Sequence, residues 1–254
     1  MKRAWIIAKN SLQEALRKKT LYILVVVALV VIGASRLFSF LSAEEEMKMI
    51  RDVSFSTIEF FGALIAIFGA LGAISTELEK RTIYTLLSKP IGRREFILGK
   101  FIGQSMILLI NYVLMCAFFI GLLLIKKSPP DIETLKTLIL IYMELLMISS
   151  ITLMVATFAS DAFNLVFSFF LYIVGHLMSY GRQMMERTAN VIVKGLSDML
   201  YTLVPNYENF NIKDKVVVGV KVSWLYVVQT VGYGFIYLAI ALFLAVYFFQ
   251  KREV

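Results

Sequence analysis

The chain has 254 residues, 59% of them hydrophobic and 17% charged, with a mean hydropathy of +0.78 and a formal net charge of +8. A soluble domain carries roughly 45–50% apolar and about 25% charged residues, so a soluble enzyme is excluded and most of the chain is built for a bilayer. One cysteine, Cys116, and one histidine, His176, rule out an intrachain disulfide, a cysteine-based metal site and a paired-histidine zinc motif.

The first 20 residues predict an amphipathic helix lying in the membrane interface. Trp5, Ala8, Leu12, Ala15 and Leu16 recur at helical spacing, and Lys2, Arg3, Lys9, Gln13, Arg17 and Lys18 occupy the rest of the surface. A spanning helix needs about 20 apolar residues, and six runs qualify: 21–41, 57–75, 102–125, 135–158, 162–180 and 225–249. The expected fold is therefore an all-α integral membrane protein, a single domain over 1–254.

Between the second and third runs lies a polar stretch, Thr76 to Lys100, with six basic and three acidic residues in 25 positions. Thr76-x-x-Glu79 reads as a capping box opening a short helix. Ser88-Lys89-Pro90 then breaks it, because the residue before proline is pushed out of the helical region. A second helical pattern starts near Arg93 and runs into the third span, so a helical hairpin is expected over 76–100. Gly92 to Lys100 is not a phosphate-binding loop: six residues separate its glycines where that loop needs four, and Phe101 stands where it needs Ser or Thr.

Orientation follows the lysines and arginines. Segments 1–20 and 76–100 hold six each and the tail from Gln250 two, about one position in four, whereas 42–56, 126–134 and 181–224 hold two, two and six, nearer one in seven, which predicts both termini on the cytoplasmic side. The positive charge is then largely a topology signal, and with no separate basic domain a nucleic-acid partner is not expected. The remaining outer segment, 181–224, has an apolar pattern from Met185 to Leu203 that stops at Pro205-Asn206. Its Val216-Val217-Val218 run is open between strand and helix.

Polar residues inside a membrane are costly and default to functional candidates. Glu144 is the sharpest, a candidate with Asn111 for a translocation path; packing against Asn111, Gln104 or His176 is the alternative. His176 is expected to supply a structural hydrogen bond. Small residues at Gly62, Ala66 and Ala70, at Gly69 and Ala73, and at Gly99 and Gly103 allow close helix approach, within one chain or between two. No catalytic residue and no metal site is expected.

The wording of the polar stretch, Glu77-x-Glu79-Lys-Arg-Thr82-Ile, Leu86-Leu87-Ser88-Lys89-Pro90, Arg93-Arg94-Glu95 and Leu98-Gly99-Lys100, together with the order of elements, resembles the permease subunits of ABC-2 type transporters. The resemblance is nearest to the branch that includes the maturation permeases of nitrous-oxide reductase and multicopper enzymes. It implies a transport subunit, an exporter, that pairs with a second permease in the cytoplasmic membrane. It also implies a separate ATP-binding subunit that holds the ATP and magnesium, so no cofactor belongs to this chain. Coupling to that ATPase falls to Glu77, Glu79, Arg81, Arg93, Arg94 and Glu95, helped by the N-terminal helix. A secondary transporter or a membrane scaffold or immunity protein without an ATPase are the alternatives; proline is absent from all six runs, which disfavours the broken helices of the former.

Overall fold

A computed structural model describes residues 2–38, 42–79, 92–186, 195 and 204–251. All regular structure among them is helical: α1 (Lys2–Ala15), α2 (Lys19–Ala34), α3 (Ala43–Glu79), α4 (Arg93–Ile125), α5 (Ile132–Ala156), α6 (Asp161–Glu186), α7 (Lys213–Val217) and α8 (Trp224–Lys251), with 3-10 turns at Ser35–Phe38 and Tyr207–Phe210. Six of these helices are long and apolar enough to cross a membrane, namely α2 to α6 and α8. The chain is a multi-pass, all-α membrane protein.

The helices form one bundle around α3 and α5. Each exposes an apolar face where lipid takes the place of protein: Ile23, Val26 and Val30 on α2, Phe163, Val166, Phe170, Ile173 and Leu177 on α6, Phe235, Ile236 and Phe243 on α8. α5 is the buried centre, its inward residues running from Leu138 to Ala156 almost without interruption. The small residues of α3 serve packing within the chain. A side chain added at Gly62 would meet Leu145 of α5, and one added at Gly69 would displace the Gln104 amide of α4, which donates to the Ile65 carbonyl at 3.4 Å.

Two expectations about α3 are corrected. The helix begins at Ala43, some 14 residues before the predicted span, and absorbs the segment 42–56. Ser42 caps it by accepting from the Glu45 amide at 3.4 Å while its hydroxyl donates to the Glu45 carboxylate at 2.9 Å, and three glutamates occupy its first turn, where the helix dipole favours negative charge. The helix also runs without a break through Thr76, so Thr76-x-x-Glu79 starts nothing; no proline or glycine follows Gly72 to end the helix there. Among the described residues, the next helix after α3 opens at Gly92, whose amide donates to Glu95 at 3.4 Å. From Arg93 onward the polar stretch and the third span are one helix, α4, as expected.

Both chain ends meet at one end of the bundle. α1 lies along the first turns of α4, with Ala4, Ile7, Ala8 and Ser11 turned inward. Gly99 and Gly103 create the seat, since an added Cβ would stand 2.7 Å from the Ala4 carbonyl at the first and 2.7 Å from the Ala8 carbonyl at the second. The expected apolar face of α1 is thus divided: Ala8 packs on protein, while Trp5 is 56% exposed. Beside this seam, Arg93 donates to the carbonyls of Phe249 at 3.1 Å and Gln250 at 2.6 Å, capping the C-terminal end of α8, and the Phe96 and Phe249 rings stack at 5.3 Å.

Ion pairs and caps tie the far end together. Lys126 pairs with Glu46 at 2.5 Å, and Asp131 caps α5 by accepting from the Thr134 amide at 2.9 Å, with Arg51 at 3.4 Å. Burial alone would push the Asp131 carboxyl up, but the Thr134 hydroxyl and amide and the Arg51 charge outweigh it and hold the group below its ordinary range. Glu133 and Lys136 grip Val222 from both sides: the carboxylate accepts from its amide at 3.0 Å and the ammonium donates to its carbonyl at 2.6 Å. The segment 204–222 is thereby pinned to the bundle on its way into α8. Val216-Val217 resolves as helix, the end of α7.

Candidate functional site

Where α3, α5 and α6 meet the segment 204–217, four ionisable side chains from four elements converge. Glu59 stands near the middle of α3 and Glu144 on α5, both buried, with His176 on α6 and Lys213 at the start of α7. His176 Nε2 lies 2.8 Å from Glu59 Oε1 and 3.3 Å from Glu144 Oε1. The Lys213 ammonium pairs with the other oxygen of Glu59, Oε2. On the far side of the imidazole, Nδ1 lies 2.9 Å from the Tyr172 carbonyl one turn earlier. A carbonyl can only accept, so Nδ1 carries a proton and the ring presents Nε2 to the carboxylates.

Packing explains why the residues are held there. Tyr207 is 1% exposed and lies against Gly175, where any side chain would collide with its ring, and its ring centroid is 5.6 Å from that of His176. Phe210, fully buried, packs beside Met143 against Gly234 on α8, where an added Cβ would stand 2.9 Å from Met143 and 3.1 Å from the Phe210 ring. Two aromatics of the segment 204–217 thus rest against two glycines, and Asn206 locks the entry by accepting from the Glu208 amide at 3.1 Å while its backbone amide donates to the Tyr233 hydroxyl at 2.9 Å. The segment is a plug seated in the far half of the bundle, and Lys213 is its charged foot.

Within this cluster Glu144 is exceptional. It is 0% exposed, and among the described residues neither carboxylate oxygen has a hydrogen-bond partner. The 3.3 Å approach of His176 is electrostatic contact without hydrogen-bond geometry. Desolvating a carboxylate without compensation is costly, so the group either takes up a proton or needs a cation beside it.

Of the three partners weighed for Glu144, the structure brings it His176; Asn111 is buried but donates to the Ile107 carbonyl of its own helix at 2.9 Å, and Gln104 turns to α3. Glu59 and Lys213 escaped notice in the sequence. Glu59 falls three positions inside the run 57–75 and reads as a boundary residue, whereas the earlier start of α3 makes it central. Lys213 is 154 residues away from it in the chain, and no local pattern announces the pairing.

Of the six expected coupling residues, Arg81 lies outside the described residues, as does the rest of 80–91, and Glu77 and Glu79 close α3. The structure assigns internal tasks to two others: Arg93 caps α8 and Glu95 caps α4. Arg94 is exposed.

Comparison with known proteins agrees with the architecture. The model of the ABC-2 family transporter proteins matches residues 5–254. The Probable ABC transporter permease protein NosY of Stutzerimonas stutzeri is 33% identical over 112 residues, a match that spans 42% of this chain and 41% of that protein. The family match covers α1, all six spanning helices and the plug, and on that ground the chain belongs to the ABC-2 family of transporter proteins.

Proposed function

We propose that this chain is the permease subunit of an ABC exporter, working as a pair of permeases in the cytoplasmic membrane with ATP and magnesium held on a separate ATP-binding subunit. The observation that carries the reading is the hub where α1, the base of α4 and the end of α8 are fastened together. Gly99 and Gly103 seat α1, Lys100 stands 3.8 Å from Glu14 of α1, and Arg93 holds the last carbonyls of α8. A push delivered to the stretch before Arg93 reaches α1, α4 and α8 at once, which is what a coupling element must do. The lysine and arginine distribution favours this end, with both termini, lying in the cytoplasm.

The test is co-purification. Expressed with an ABC-type ATP-binding subunit of the same genome, the chain should elute as a complex whose ATPase activity differs from that of the ATPase alone. Arg94→Glu reverses an exposed charge that makes no cap, so it should weaken the complex about tenfold and leave the thermal stability of the permease unchanged. An Arg94→Glu permease that binds and regulates the ATPase as the parent does would count against 76–100 as the coupling surface. A chain that assembles with no ATPase would remove the permease reading itself.

A further inference from the structure

We infer that Glu59, Glu144 and His176 form a binding site for one divalent transition-metal ion. Their three ligand atoms, His176 Nε2 and one carboxylate oxygen from each glutamate, all lie within 4.8 Å of one another. A four-coordinate ion with bonds near 2.0–2.1 Å holds neighbouring ligand atoms roughly 3.3–3.5 Å apart. The His176 to Glu144 separation of 3.3 Å already matches, and the 2.8 Å to Glu59 needs an opening of about 0.5 Å.

The surroundings of each ligand favour this reading over a plain ion-pair network. Ligating histidines donate their other ring nitrogen to a carbonyl or carboxylate, which fixes the tautomer; His176 does so to Tyr172. Ligating carboxylates are gripped from behind; Lys213 takes Oε2 of Glu59 and leaves Oε1 facing the imidazole. Lys213 therefore does not sit in the metal's position but orients the ligand beside it. A proton on Nε2 is the rival occupant, and it points to one acceptor at a time. It would satisfy Glu59 at 2.8 Å and leave both oxygens of Glu144 stranded, as they are here. A metal ion serves all three at once.

One imidazole nitrogen with two carboxylate oxygens suits manganese, iron(II), cobalt or zinc and disfavours copper(I), which seeks sulfur. The site would clamp α3, α5 and α6 together and, through Lys213, fasten the plug. No spacing in the sequence reveals it because its ligands stand on three separate helices.

The test uses the full chain in detergent without a polyhistidine tag, stripped with chelator and then titrated with cobalt(II). The parent should retain about one cobalt per chain with the intense visible bands of a low-symmetry, four-coordinate ion. Glu144→Gln, which alters a side chain that makes no hydrogen bond, should weaken binding at least about tenfold, and Lys213→Met should weaken it less while keeping the bands. A second measurement needs no variant. His176 is the single histidine of the chain, so with copper(II) as the probe, imidazole-nitrogen modulation in a spin-echo experiment reports on His176 alone. Bound copper showing that modulation supports the site. No metal retained by the parent, metal retained equally by Glu144→Gln, or bound copper without imidazole modulation would each overturn it. None of these measurements involves the ATPase or transport, so a negative result leaves the permease reading intact.

Discussion

The two ends of the bundle are held by different physics. At the hub, backbone meets backbone across Gly99 and Gly103, and the polar contacts are helix caps such as Arg93 on the α8 carbonyls. In the far half, the plug is held by aromatic rings packed against glycines and by a buried charge, Lys213 on Glu59. Close backbone packing dominates the first and a buried charge pair fastens the second, so the hub should fail chiefly on added volume and the cluster chiefly on loss of a charge.

The largest effect is expected at Glu59. Glu59→Ala removes the carboxylate paired with Lys213 and leaves Glu144 as the remaining acidic group of a desolvated cluster, and breaking a buried pair from one side costs about 3–5 kcal/mol. Thermal unfolding in detergent should show it, and a loss under about 1 kcal/mol would mean that water reaches the cluster and that the contrast is wrong. Next comes the hub. Gly99→Leu forces a side chain into the α1 seam, where overpacking costs typically about 1–3 kcal/mol. Protease should then cut near Arg17 in the variant and not in the parent; equal resistance would show that α1 is held by something other than this seat.

Smaller effects separate caps from cores. Arg93→Gln removes a charge-assisted cap and a favourable dipole interaction, about 1 kcal/mol together, and hydrogen exchange should rise in the last turn of α8 and not elsewhere. The smallest change is at Asp131. Asp131→Ala should cost about 0.5–1 kcal/mol, discounted because the side chain is 48% exposed. Its folded-state pKa is held below the ordinary value. The cap therefore contributes fully above the ordinary aspartate range of about 4 and is lost as the pH falls through the lower folded value. Melting curves of parent and variant should converge in acid; a gap that persists there would assign the stability to packing.

The spans were legible because bilayer thickness imposes a length and a hydropathy that any window detects. The same physics hid the start of α3. Glu44, Glu45, Glu46, Lys48, Arg51 and Asp52 look like a loop to a hydropathy window, yet they form helix because Ser42 caps it and the acidic first turn suits the dipole. That displaced boundary is also why Glu59 was passed over. Glu144 was legible as an anomaly, one carboxylate deep in an apolar run, but its partners were not, since contacts between distant helices leave no periodic trace. The small-residue stripes showed that helices approach closely; only the structure tells which helix each one meets.

The length of α3 has a mechanical consequence. Thirty-seven residues make a rod of about 55 Å against a hydrocarbon core of about 30 Å. Glu59 sits within a turn of its centre, held by Lys213 and facing His176. The rod is held at several levels, by Lys126 and Asp131 near its start, by Lys213 at its centre and by Leu145 and Gln104 packed against its glycines. A displacement at Glu79 is therefore passed along one stiff element to the ion pairs near Ala43, on the opposite side of the bilayer.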